Sequence, residues 1–177
     1  MVGRVNLTER FAKAARADGR KSPIFYDDEV IGFIRRQAAG ASYITSVCTG
    51  SLALGAAGLL DGYRAATHWS ARECLALFGA TVSTERVCID RNRITGGGVT
   101  AGIDFALTVV SQLLDRPTAE AIQLRLEYNP APPFTAGSPD TAPPEVLSRM
   151  LERIAPFRTR RVEAAERAAS RLARTAG

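Results

Sequence analysis

The sequence predicts an α/β fold: a doubly wound, mainly parallel sheet with helices on both faces. Three observations carry this. From Asp27 onward, short β-branched or apolar runs alternate with longer amphipathic stretches, the order that lays strands between helices. One of those runs, Ser42 to Val47, passes through a small-residue turn, Cys48-Thr49-Gly50-Ser51, directly into an apolar helical stretch. The 177 residues, 46% hydrophobic and 23% charged, suffice for one core and have globular proportions.

Taken in order, residues 1–22 read as a basic amphipathic helix, with Leu7, Phe11, Ala14 and Ala15 at helical spacing until Gly19 and Ser22-Pro23 end it. Asp27-Asp28-Glu29 then places negative charge at a helix start. Val30, Phe33, Ile34 and Ala38 line one face of that helix up to Gly40, a C-cap candidate. The strand Ser42–Val47 leads through the turn to a helix ending near Leu60, closed by Asp61-Gly62. Arg64–Thr67 is a strand and Trp69–Gly79 a helix. Ala80–Ser83 and Arg86–Asp90 are strands, Asn92 turns the chain, and Arg93–Thr95 returns. After Gly96-Gly97-Gly98, a helix runs from Ala101 to about Leu114. Pro117 suits the first turn of the next helix, which reaches about Tyr128. Residues 129–144 hold six prolines, an arm with little helix or strand capacity. Two helices follow, Pro144–Ile154 and Pro156 to about Arg174, separated at Pro156.

The formal charge of +5 comes from the ends. Residues 1–22 carry six Lys/Arg against two Asp/Glu, and residues 149–177 eight Arg against three Glu. The stretch between them is acidic. The basic ends lack interleaved aromatics on which bases stack, so solvated helix faces are expected and no nucleic-acid partner is expected. No apolar run approaches the ~18 residues of a membrane span. The N-terminus lacks the apolar stretch of a secretory leader. Three dispersed cysteines make neither a disulfide framework nor a zinc site, which fits a reducing cytoplasm.

The chemistry concentrates at Cys48. A strand, a sharp small-residue turn and a helix form a nucleophile elbow, Ser46-Val47-Cys48-Thr49-Gly50. A cysteine there sits at a helix N-terminus, whose free N–H groups favour thiolate, and the Thr49 N–H points toward charge developing on a substrate. His68, the only histidine, ends the next strand and is expected beside the thiolate. Cys74 and Cys88 read as small core residues. Gly97 and Gly98 are candidate substrate-binding residues, although close packing beside the elbow also explains the glycines. The stretch lacks the lysine of a P-loop and the GxGxxG order. Asp104 reads as a charge complement to the helix N-terminus. No His, Cys and carboxylate set has metal spacing, and no cofactor is expected.

These motifs resemble the ThiJ/PfpI superfamily, the class I glutamine amidotransferase-like proteins. The resemblance rests on Ser46-Val-Cys-Thr-Gly-Ser51, Gly58-Leu-Leu-Asp-Gly62, Ala66-Thr-His-Trp69 and Gly96-Gly-Gly-Val-Thr-Ala-Gly-Ile-Asp104. It covers about Asp27 to Arg174, and the Pro-rich arm Tyr128–Pro143 is similar to that of the isonitrile hydratase branch. The resemblance implies a flavodoxin-like fold, a small-molecule substrate and a homodimer. It implies that Cys48 adds to an isonitrile carbon, giving a thioimidate that water converts to an N-substituted formamide. Thr49 would help hold the water, and His68 matches a position near the cysteine. Residues 1–26 do not resemble the family's first three strands, so the fold is expected to be N-terminally incomplete, without a counterpart to the family's catalytic acid. The expected organisation is an unmatched segment 1–26, a domain 27–144 and an Arg-rich helical extension 145–177. Two alternatives stand beside the hydratase: an impaired family member acting through partner binding, and the sensor domain of an AraC-type regulator.

Overall fold

The computed structural model describes residues 27–176; the helix expected over 1–22 lies outside them. In chain order the elements are α1 (Asp28–Ala38), β1 (Ile44–Val47), α2 (Gly50–Ala56), β2 (Arg64–Ala66), a 3-10 turn (Trp69–Ala71) leading into α3 (Arg72–Ala76), β3 (Thr81–Ser83), β4 (Val87–Asp90), β5 (Arg93–Gly96), α4 (Ala101–Leu113), α5 (Arg116–Arg125) and α6 (Pro144–Ala176). The alternation of strands and helices stands as expected.

Among the described residues the strands form two small sheets. One has the order β1-β5-β4 and the other pairs β2 with β3. β1 runs parallel to β5, with Ile44 opposite Arg93 and Val47 opposite Gly96. β2 runs parallel to β3, with Arg64 opposite Thr81. β4 and β5 pair antiparallel, Asp90 opposite Arg93, because only Arg91 and Asn92 join them and so short a link permits nothing else. The sheets meet through side chains. Thr95 Oγ1 accepts from the Ala66 N–H at 2.8 Å in a buried bond, and Asp90 Oδ2 accepts from the Arg64 N–H at 2.7 Å.

Alternation along β1 places the helices on two faces. Ile44 joins the core with Leu52, Leu54, Leu60, Leu75 and Phe78. Val47 points the other way, its methyl groups near Gly96 and near Gly102 of α4. The first face is dense. α6 closes it with Ala164, Ala165 and Ala168, all buried, so the stretch set apart as an extension packs on the same core as the rest. Each of these alanines admits the helix closely because it carries only a methyl group. The second face is sparser: Ala101 is the buried residue of α4 and Ala119 that of α5.

Several element boundaries differ from expectation, each for a local reason. α2 stops at Ala56, four residues early, because Gly58 turns left-handed at φ 74°. The Leu59 N–H then reaches back to the Leu54 carbonyl at 3.0 Å and the Gly58 N–H to Gly55 at 2.8 Å, a Schellman closure. Arg35 donates to the Ala57 carbonyl at 3.0 Å and Arg93 to that of Leu59 at 2.7 Å, serving acceptors past the helix end. Gly40 takes no such role: α1 is capped at Ala39 in right-handed geometry. The helix expected over Trp69–Gly79 is split by Ala71, whose φ of −124° separates the 3-10 turn from α3. α5 ends at Arg125 rather than Tyr128, closed by Glu127 at φ 50° and a bond from the Tyr128 N–H to the Gln123 carbonyl. Pro156 does not separate two helices; it lies inside the continuous α6. Pro156 and Glu152, whose carbonyl loses its donor, are both exposed, so solvent can serve that carbonyl.

Candidate active site

β1 and β5 end side by side, and Cys48 is the first residue past β1. Its backbone is left-handed, φ 59°, a conformation that costs a non-glycine residue about 1 kcal/mol or more. Three hydrogen bonds hold it there. The Cys48 N–H donates to the Gly96 carbonyl at 3.0 Å. Its own carbonyl accepts from the Ser51 hydroxyl at 3.1 Å and from the Thr67 hydroxyl at 3.1 Å. The turn is thus strained, yet over-determined from three elements, as functional turns commonly are. The Cys48 thiol is half-buried and unpaired, whereas Cys74 and Cys88 are buried. Burial, reinforced by Glu73, pushes the Cys74 thiol up to about 11; burial also raises that of Cys88.

Thr49 is the N-cap residue of α2, half-buried, and its side chain makes no capping bond. No acceptor among the described residues takes its N–H, so this donor remains available beside the thiol.

His68 lies at the same end, following Thr67. Its Nδ1 accepts from the Ser70 N–H at 3.2 Å and lies 2.9 Å from the Ser70 hydroxyl. The edge carrying Cδ2 faces Gly98: a Cβ added at Gly98 would stand 3.6 Å from it. Partial burial, with Arg161 and Arg72 nearby, holds the imidazole below its ordinary pKa. Among the described residues no hydrogen bond joins His68 to Cys48. The link between their strands is Thr67, whose hydroxyl serves the Cys48 carbonyl.

Gly97 and Gly98 form the third side, both half-buried. The packing explanation for the glycine run fails here. Added Cβ atoms at Gly96, Gly97 and Gly98 would find their nearest neighbours at 3.4, 3.6 and 3.6 Å, ordinary contact distances, and none of the three has positive φ. Gly96 is buried; at half-buried Gly98 the missing side chain leaves backbone open beside His68.

The corner is braced from outside. The Gly97 N–H donates to the Arg86 carbonyl at 2.9 Å. The Arg86 side chain donates to the Thr100 carbonyl at 2.8 Å and pairs with Asp104. Asp104 also accepts from the Tyr128 hydroxyl at 3.1 Å. Asp104 does sit in the first turn of α4, as expected, but it further ties that turn to Arg86 and to the start of the Pro-rich arm. Thr67, Ser70, Arg86, Tyr128 and Arg161 were not singled out as site residues from the sequence. Thr67 and Ser70 carried a signal, as close neighbours of the one histidine; Arg86, Tyr128 and Arg161 reach the site from other elements of the chain. Among the described residues no group of three His, Cys, Asp or Glu side chains is placed to hold a metal, and no helix is long and apolar enough to cross a membrane.

The profile of the DJ-1/PfpI family matches residues 19–112, which include the elbow, His68 and the glycine corner. The chain belongs to the DJ-1/PfpI family. It is 55% identical over 150 residues to the isonitrile hydratase of Pseudomonas putida, covering 85% of this chain and 66% of that one. It is 40% identical over 105 residues to the HTH-type transcriptional regulator GbdR of Pseudomonas aeruginosa, covering 56% of this chain and 28% of that one. A crystal structure of a ThiJ/PfpI family protein from Pseudomonas syringae superposes with a TM-score of 0.77 at 53% identity, over 80% of this chain and 58% of that one. The chain thus spans just under two thirds of the hydratase and under a third of the regulator. The DJ-1/PfpI fold accounts for the parallel β1–β5 pair that carries the elbow at its end.

Proposed function

We propose that this protein is a cysteine-dependent hydratase that converts an isonitrile to an N-substituted formamide. The observation that carries the proposal is the left-handed Cys48 elbow within a chain 55% identical to an isonitrile hydratase. The Cys48 thiolate attacks the terminal isonitrile carbon, forming a C–S bond, and that carbon takes a proton from solvent. The resulting thioimidate, R–N=CH–S–Cys48, is attacked by water at the same carbon. Of the water's two protons, one goes to nitrogen and the other, on collapse, to solvent. The C–S bond then breaks, releasing R–NH–CHO and the thiolate. Overall, R–NC and H2O give R–NH–CHO with no net redox change. The Thr49 N–H and hydroxyl would orient the attacking water, Gly97 and Gly98 would leave room for the isonitrile, and His68 would line the same space. No metal or cofactor enters these steps.

The same proposal places the protein in the cytoplasm as a homodimer. The exposed apolar side chains Leu113, Leu114, Leu124 and Leu126 on and beside α4 and α5 support self-association. The domain reading, with residues 27–144 as the catalytic unit, belongs to this proposal too.

The test is product formation. Purified protein incubated with a simple alkyl isonitrile should yield the matching formamide, and Cys48→Ala should lower the rate at least ~1,000-fold. Absence of formamide from folded wild-type protein would overturn the proposal. The sensor reading is supported by the 40% identity to a regulator. It predicts sequence-specific retardation of DNA by a chain containing this domain. Within the described residues, 144–176 form one continuous helix, which is not the helix pair that reads a major groove.

A further inference from the structure

Arg161 of α6 donates from one guanidinium nitrogen to both the Ser70 carbonyl, at 2.9 Å, and the Ser70 hydroxyl, at 3.2 Å. A guanidinium has only donors, so the Ser70 oxygen must accept from it. That leaves the hydroxyl proton of Ser70 free to point at His68 Nδ1, 2.9 Å away. The Ser70 backbone N–H donates to the same Nδ1 at 3.2 Å, and a backbone N–H can only donate. The backbone contact requires a lone pair on Nδ1, and the hydroxyl proton can be directed at the same lone pair. A neutral imidazole with a bare Nδ1 carries its proton on Nε2.

We infer that Ser70 and Arg161 are positioning residues that lock His68 as the Nε2–H tautomer, so that it serves the site as a neutral hydrogen-bond donor and not as the base for Cys48. As a base, His68 would need a lone pair on the nitrogen facing the site. The edge facing Gly98 is the one carrying Cδ2, the atom bonded to Nε2, and in this tautomer Nε2 bears hydrogen. Taking a second proton would place it on Nδ1, against the Ser70 N–H. The charges around the ring oppose it as well. Arg161 from α6 and Arg72 from α3 both face His68; Ser70 on its own turn, Trp69 and Gly98 are uncharged. Nor would Nε2–H give up its proton, since that would leave an imidazolate. The ring therefore stabilises negative charge that develops next to it, on sulfur or on the isonitrile-derived nitrogen. The long C-terminal helix thereby sets the protonation form of a group just past the end of β2, through Ser70, 91 residues before Arg161.

The role in turnover rests on the proposed hydratase function; the tautomer does not, and the two are read separately. His68 is the only histidine in the chain, so nitrogen-15 NMR of the imidazole needs no assignment. The expected wild-type spectrum at pH 7.5 has Nδ1 unprotonated and Nε2 protonated, with a titration midpoint below 6.5. Arg161→Met should move that midpoint upward, and Ser70→Ala should increase the Nδ1–H population. A wild-type spectrum with the proton on Nδ1, or an imidazolium at pH 7.5, would overturn the lock whether or not any isonitrile is consumed. In the activity arm, His68→Gln keeps an N–H donor but cannot accept a proton. It should exceed His68→Ala by roughly tenfold in kcat/KM, one hydrogen bond's worth. Equal loss in the two variants, with both folded by circular dichroism, would overturn the donor role. Loss of formamide production from wild type with the tautomer intact would instead count against the hydratase proposal.

Discussion

At the scale of single residues, the three cysteines separate by environment. Cys48 is half-buried in a strained turn; Cys74 and Cys88 are buried, and burial holds both of those thiols protonated. Native protein at neutral pH should therefore show one thiol reacting promptly with a disulfide reagent, and Cys48→Ala should remove it. The two remaining thiols should appear only on unfolding; prompt reaction of two or more thiols in native protein would contradict the burial pattern. The left-handed backbone at Cys48 gives a second expectation. Cys48→Gly and Cys48→Ala both delete the thiol, but only glycine relieves the φ of 59°. The glycine variant should be more stable than the alanine variant by ~1 kcal/mol, measured by urea unfolding. Equal stabilities would show that the turn carries no strain.

At the scale of elements, α2 depends on a close approach. Gly55 lies against the Phe78 ring, where an added Cβ would come within 2.7 Å of the ring carbon Cγ. Phe78 is itself buried and cannot swing away freely. Gly55→Ala should cost roughly 1–3 kcal/mol through overpacking, despite alanine's better helix propensity; a neutral or stabilising result in thermal melts would contradict this packing. Elements also show what the sequence made legible. α1 announced itself because Asp27 caps it locally, accepting from the Glu29 N–H at 3.0 Å and the Val30 N–H at 3.2 Å. The elbow was legible because strand, small-residue turn and helix are contiguous. The end of α5 was not, since Glu127 takes the left-handed position that glycine usually marks. Nor was the continuity of α6, because the penalty of Pro156 is met by solvent and by packing elsewhere on the helix. The tie from Arg161 to Ser70 and the one from Arg86 to Asp104 depend on tertiary arrangement, which hydrophobic period does not encode.

At the scale of the whole molecule, His68 couples stability to pH. Its folded pKa lies below the ordinary 6.5 of the unfolded chain. Below pH 6.5 the unfolded state binds a proton that the folded state resists. Stability is therefore complete above 6.5 and declines as pH falls through the folded midpoint. The carboxylates with lowered values, Asp90 and Asp115, have an ordinary value of 3.8 and act in a more acidic range. Between pH 7 and 5 the melting temperature should fall, and His68→Gln should flatten that slope. An unchanged slope in the variant would assign the effect elsewhere. The dense face closed by α6 and the sparser face under α4 also explain why the fold class was readable while the site was only half so. Cys48, Thr49, His68 and the glycines sit on consecutive motifs, but the groups that orient them arrive from α6 and from the β4 side of the glycine corner.

The seam between the two sheets has a consequence of its own. Cys48 follows β1 and His68 follows β2, and these strands belong to different sheets. Side-chain bonds from Thr95, Asp90 and Thr67 span the gap between the sheets. Within a ladder, strand spacing is fixed at about 4.8 Å whatever the side chains are. Across this seam it follows side-chain reach. The gap between Cys48 and His68 is thus an adjustable dimension, and position 95 acts as a calliper: Thr95→Ser should keep the setting, whereas Thr95→Val should release it without disturbing either sheet's own register.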